Sequence, residues 1–245
     1  MTRQPTWLCP SLATLLLAAI VGLTMTTSVD FRISDAIFAA SGGAWPLPHA
    51  GWTRAVGYEG PKYAVIVFAL FLVAGLLRPD LLHRLHLERR EAAYLLACLA
   101  IVPATIIQLR SQSDIACASQ LLRYGGDVPD SLGRFTFTRL VADDGLHGCF
   151  PSGHASGGFA LLALGLLARK PAARRALWLG ALLYGSYMGM YQLLRGAHFL
   201  SHVVASALLA QIVVCVVGHF MLRERPVTSA RPSSVPLVRP VRRRT

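Results

Sequence analysis

Gly148-Cys149-Phe150-Pro151-Ser152-Gly153-His154 stands at the threshold of an apolar run that continues to Ala168. Arg195-Gly196-Ala197-His198-Phe199-Leu200-Ser201-His202 stands at the threshold of another, which ends near Leu222. Each stretch sets imidazoles, glycines, a hydroxyl or an arginine where a bilayer chain otherwise uses only apolar residues. Ionisable groups beside a spanning segment are costly unless they face a cavity, a partner or the interface, so both stretches are candidate functional positions. Apolar runs of roughly 15–20 residues beside such borders read as membrane helices, and the fold class expected is all-α and polytopic.

Composition agrees. The chain of 245 residues is 54% hydrophobic and only 15% charged, with a mean hydropathy of +0.50, whereas soluble domains carry about 25% charged residues. A net charge of +12 invites comparison with nucleic-acid binders. The basic residues, however, sit in short segments between apolar runs, as in cytoplasmic loops of membrane proteins. No zinc-finger spacing, phosphate-binding loop or dinucleotide fingerprint occurs, and no nucleic-acid partner is expected. Of the five cysteines, Cys9, Cys98 and Cys215 lie in or near apolar runs and read as small core residues. Cys117 and Cys149 share one expected external region, where an oxidising compartment permits either a bridge or two free thiols.

Outward from the two stretches, the apolar runs number six: about Ser11–Met25, Pro61–Leu77, Ala92–Leu109, Pro151–Ala168, Ala176–Leu194 and Phe199–Leu222. The first is expected to be a retained helix, with a cleaved signal peptide as the alternative. Residues 28–60, with Trp45, Trp52 and Tyr58 among prolines and glycines, and residues 110–150 form the expected external segments. Residues 1–222 make one membrane domain, and the Arg- and Pro-rich tail 223–245 is expected to be disordered beside anionic lipid. Placing both termini, the loop 78–91 and the turn 169–175 inside puts 16 of the 24 basic residues there with four of the 12 acids. The entire formal excess then falls on the cytoplasmic side. The expectation is therefore six transmembrane helices with both termini cytoplasmic. It brings Arg110, Pro151–His154 and Arg195–His202 to one external edge.

Pro151-Ser152-Gly153-His154 opens a helix, whose free N–H groups and positive dipole end bind an anion. Ser152 adds a donor, Gly153 permits close backbone approach, and His154 donates a proton. Arg110 and Arg195 match phosphoryl oxygens as bidentate partners, and His198 offers a nucleophilic nitrogen. His198 and His202, four apart, also suit a metal pair, but no third ligand stands at matched spacing, so neither metal nor cofactor is expected.

On these residues the chain resembles the type-2 phosphatidic acid phosphatase superfamily of integral membrane phosphatases. That family carries Lys-x6-Arg-Pro, then Pro-Ser-Gly-His, then Ser-Arg-x5-His-x3-Asp. The second signature is intact at Pro151–His154. In the third, His198 matches the histidine, while Gln192 holds the arginine position and His202 the aspartate position. In the first, Arg110 stands for lysine and Cys117-Ala118 for Arg-Pro. The pieces around 148–155 and 195–199 are similar to a bacterial subgroup with this variant pattern.

The resemblance implies a phosphatase for lipid phosphates or pyrophosphates, working through a phosphohistidine at His198. His154 would be the leaving-group acid, and Arg110, Ser152, the Gly153 backbone and a nearby arginine would hold the phosphoryl oxygens. Arg195 is expected to replace the missing guanidinium from one turn nearer the nucleophile, with Arg123 as second candidate. His202, or Asp143 or Asp144 folding back, is expected to orient His198. An active site on the periplasmic side of a bacterial inner membrane suits undecaprenyl pyrophosphate, phosphatidylglycerol phosphate, phosphatidic acid or lipid A. The partners expected are that lipid phosphate and anionic lipids at the basic loops and tail; oligomeric state leaves no mark in the sequence. A lipid phosphotransferase with the same intermediate is the nearest alternative. A lipid-binding or transport protein that kept only the anion pocket is another, and an interaction protein using the basic tail a third.

Overall fold

The computed structural model describes residues 11–47, 51–84, 86–133 and 148–222. In chain order the helices are α1 (Ser11–Thr26), α2 (Val29–Ala40), α3 (Trp52–Arg54), α4 (Gly60–Leu77), α5 (Pro79–Arg84), α6 (Arg89–Arg110), α7 (Gly153–Ala160), α8 (Ala163–Leu167), α9 (Pro171–Leu194) and α10 (Leu200–Leu222). A π-helical turn, Ala55–Glu59, joins α3 to α4 in one continuous helix. Short 3-10 turns shape residues 118–133. Among the described residues the only β pairing is an isolated parallel bridge between Leu121 and Val128. The fold is all-α.

The expectation of six transmembrane helices is corrected. Three helices are long and apolar enough to cross a membrane: Trp52–Leu77, Arg89–Arg110 and Leu200–Leu222. The number rises to four only if α1 and α2, bent by 73° at their junction, count as one broken span. Each missing span has its own cause. The run from Pro151 breaks at Leu161–Leu162 into α7 and α8, so Gly153–Leu167 stays short of membrane length; a helix rising 1.5 Å per residue needs about 20 residues to cross. α9 has the length but not the hydropathy, because Tyr184, Ser186, Tyr187, Tyr191 and Gln192 interrupt its apolar residues. α1 ends after 16 residues. The helix expected from Pro61 begins instead at Trp52. Both termini, and with them the cytoplasmic placement and the disordered tail, lie outside the described residues.

α10 is the central element. Half of its apolar window is buried inside the protein, against 17% for Trp52–Leu77. It runs antiparallel to α6: Arg90 Nε donates to the Met221 carbonyl, and Tyr94 OH donates to the Val214 carbonyl at 3.2 Å. The end of α6 at Arg110 therefore lies beside the start of α10, about 33 Å from the Arg89 end for a helix of this length. At that far end Glu88 and Glu91 form a capping box.

α7 and α9 pack closely because glycines face the contact. The Gly158 backbone approaches that of Gly185, Phe159 lies over Gly185, and Val203 of α10 lies over Gly189. Small residues four apart let helices approach in lipid, where association rests on packing rather than on expulsion of water. Leu70, Leu183 and Phe220 stay exposed on the outer surface, as lipid-facing side chains do. A second, smaller core caps the Arg110 end: Phe31, Ala116, Ala118, Leu121, Tyr124, Val128 and Phe199, flanked by Phe38 and Trp45.

Candidate active site

The segment 148–152 is held on both sides. Gly148 N donates to Ser113 O at 3.0 Å and Cys149 N to Ile115 O at 3.1 Å. A disulfide joins Cys149 to Cys117, with 5.2 Å between Cα atoms, and Arg110 Nε donates to the Gly148 carbonyl. On the other side Ser152 N donates to His202 O at 3.1 Å, while Ser206 Oγ donates to Ser152 O at 2.9 Å. The backbone of Ser152 is thus committed to α10. Its hydroxyl, fully buried, has no partner among the described residues. A Cβ added at Gly153 would stand 3.3 Å from an Arg110 guanidinium nitrogen. Arg110, Ser152 and the N-terminus of α7 therefore share one place, a combination of donors suited to an anion.

His198 arrives from the turn between α9 and α10. Gly196 makes that turn at φ +69°, and the Trp45 ring fills the space a Cβ would need. Phe199 is fully buried and meets Phe31 edge-on at 5.4 Å. The Asp30 carboxylate accepts from Ser201 N at 2.9 Å, capping α10 from α2. Held this way, the buried His198 meets His202 with 3.4 Å between their Nδ1 atoms. Burial pushes His198 well below its ordinary pKa, nearby His202, Arg110 and His154 add to that, and the Cys149 carbonyl opposes it. Between the two Nδ1 atoms, one ring donates and the other accepts.

His154 lies in the first turn of α7, stacked on Tyr58 with centroids 4.1 Å apart and planes 3° from parallel. Its Nε2 is buried and unpartnered among the described residues. Burial pushes its pKa down to about 4, with Lys62 and Arg195 contributing and a hydrogen bond to the Gly57 backbone opposing. The Arg195 guanidinium sits over the rings of Tyr58 and Tyr191, at 5.8 and 5.4 Å. Arg195 Nε and Tyr191 OH are likewise buried without partners. Buried polar atoms are nearly always hydrogen-bonded, so each exception calls for an explanation. Of these residues, His154 stacks on Tyr58, and Arg195 lies over both Tyr58 and Tyr191; Trp45 Nε1 and Asp114 Oδ2 are also buried without a partner among the described residues.

With the geometry in place, comparison with known families is informative: a profile of the PAP2 superfamily matches residues 64–226. The chain belongs to the PAP2 superfamily. No curated protein and no solved structure matches it. The PAP2 match takes in Arg110, the segment 148–154, His198 and α10; it begins after Asp30, Tyr58 and Lys62.

Within this PAP2 chain, Arg110, Ser152, Gly153, His154, Arg195, His198 and His202 fall around one place. Arg123 has other neighbours: Asp35 at 3.7 Å, Asp130 at 3.5 Å, and the Phe31 ring at 4.7 Å. Asp143 and Asp144 lie outside the described residues. Among the described residues no three or more His, Cys, Asp or Glu side chains converge as a metal site. Sequence reasoning missed Asp30 and gave Tyr58 only an interfacial role. The signal for Asp30 was an acid just beyond an apolar run, costly unless partnered. Tyr58 had no local signal, since its partner lies 96 residues further on.

Proposed function

We propose that this protein is a lipid phosphate or lipid pyrophosphate phosphatase acting through a phosphohistidine. The observation that carries the proposal is the set of unpartnered buried groups on Ser152, His154 and Arg195 beside the His198–His202 pair. His198 Nε2 attacks phosphorus as the bond to the leaving oxygen breaks. His154, protonated once the anion is bound, gives its proton to that oxygen. In this mechanism His198 carries its hydrogen on Nδ1, shared between the Cys149 carbonyl and His202 Nδ1, and both acceptors stabilise the ring as it becomes cationic. A water then attacks the phosphorus, His154 takes its proton, and cleavage of the P–N bond returns free His198 and inorganic phosphate.

Arg110, Arg195, Ser152 and the α7 N-terminus stabilise the charge on the transferring group, where fixed donors in a site shielded from water act most strongly. A site at the rim of a multi-pass bundle suits an amphiphile whose headgroup enters while its tail remains in lipid. The basic loops at the opposite end support an external, periplasmic orientation in a bacterial inner membrane. A cavity of about 480 Å³ there is lined by His83, His86, Arg89 and Arg169 together with Glu88 and apolar side chains. The test is phosphate release by the detergent-purified protein from phosphatidic acid, phosphatidylglycerol phosphate, undecaprenyl pyrophosphate and lipid A. Release by wild type and its loss in H198A support the assignment; equal release by both removes it.

A further inference from the structure

We propose that Tyr58 is the positioning residue for His154, holding the imidazole with Nε2 toward the leaving-group oxygen; this rests on the phosphatase assignment above. The parallel stack at 4.1 Å and 3° fixes the plane of the ring. The Gly57 backbone, one residue earlier, hydrogen-bonds the same ring and leaves Nε2 as the nitrogen without a partner. Two consecutive residues thus set both the tilt of His154 and its rotation.

The segment that does this is itself held in place by α9. Ala55–Glu59 is a π-helical turn inside a long helix, a form that concentrates at functional sites. Tyr187 OH donates to the Val56 carbonyl at 3.1 Å and Tyr184 OH to the Pro61 carbonyl at 2.9 Å. Tyr191, one turn beyond Tyr187, presses on Gly57 where a Cβ would collide with its ring. Tyr184, Tyr187 and Tyr191 make one stripe on α9, and that stripe seats the turn so that Tyr58 faces His154.

Two guanidinium groups also meet the Tyr58 ring. Arg195 and Arg54 lie over it at 5.8 and 5.6 Å, within the range of a cation–π contact. Tyr58 therefore joins the proton donor to a guanidinium expected at the phosphoryl oxygens. It lies outside the PAP2 match, which begins at residue 64.

In phosphohistidine formation, the step that kcat/KM reports, the orientation of His154 matters only when the leaving group needs a proton. An alkoxide leaving from a diacylglycerol phosphate does; a nitrophenolate does not. The test compares kcat/KM for a short-chain phosphatidic acid and for p-nitrophenyl phosphate in wild type, Y58F, Y58L, H154A and Y58L/H154A. Because general acids contribute about 100-fold or more, Y58L is expected to lower kcat/KM for phosphatidic acid about tenfold or more while changing kcat/KM for p-nitrophenyl phosphate less than about twofold. Y58F, which keeps the ring, is expected to match wild type. The double variant is expected to be no slower than H154A, since the two residues act as one unit.

The ratio of the two kcat/KM values within one preparation is independent of the fraction folded. Equal loss on both substrates in Y58L, or additive losses in the double variant, overturns the positioning role while leaving the phosphatase assignment standing. Unchanged turnover of both substrates in H198A removes that assignment and the Tyr58 role with it.

Discussion

His198 and His202 face each other Nδ1 to Nδ1 at 3.4 Å, both buried, one turn apart at the start of α10. One nitrogen must donate and the other accept, so the pair selects a tautomer without adding a charge. H202A is expected to lower kcat roughly 10- to 100-fold, the scale of losing an orienting partner, with little change in KM. Steady-state kinetics check this. A rise in KM alone would mean that His202 serves binding rather than the nucleophile.

Arg195 and Arg123 separate two ways of completing the anion site. Arg195 keeps a buried, unpartnered Nε beside Tyr58 and Tyr191, whereas Arg123 is partly exposed between Asp35 and Asp130. R195A is expected to reduce kcat/KM by about 100-fold or more, as does loss of one preorganised donor. R123A is expected to leave it within about twofold and to cost about 0–1 kcal/mol, as exposed ion pairs do. Parallel kinetics and thermal unfolding in detergent decide the matter, and the reverse order of effects would move the anion site toward residue 123.

The bridge between Cys117 and Cys149 closes a loop with a sequence separation of 32. It also fixes the carbonyl of Cys149, which faces His198. C117S/C149S is expected to lose about 2–4 kcal/mol of stability, seen as a lower Tm, together with a fall in kcat. An unchanged Tm would show that the hydrogen bonds from Gly148 and Cys149 to residues 113 and 115 suffice.

The pH response follows from two imidazoles held below their ordinary values. In the empty site at about pH 7 both His198 and His154 are neutral. A phosphate dianion beside His154 favours its charged form and raises its pKa. Phosphate binding is therefore expected to take up protons, as measured by calorimetry in buffers of different ionisation enthalpy, and H154Q is expected to abolish the uptake. For stability the sign is also set: the unfolded chain protonates His198 near about pH 6.5 while the folded chain does not. The contribution of neutral His198 is thus full above that pH and is lost as pH falls toward the depressed folded value. Tm is expected to drop from about pH 7.5 to about pH 5; proton release on phosphate binding, or a Tm that climbs on acidification, contradicts this account.

Local spacing is what the sequence by itself determined. Runs such as Ala92–Leu109 and Val203–Leu222 carry enough apolar residues to specify helices of membrane length, because helix formation and hydropathy depend on neighbours within a few turns. The juxtaposition of Ser152, Gly153 and His154 at one helix start, and of His198 and His202 on one face, is local for the same reason. The tertiary structure decided the rest. It broke the run from Pro151 at Leu161–Leu162, where α7 and α8 pack against α9, and it bent α1 against α2. It brought Asp30 to Ser201 across 171 residues, Tyr58 to His154 and Arg123 to Asp35. Such pairs meet only when the bundle closes, and nothing in a one-dimensional pattern encodes which distant faces will touch.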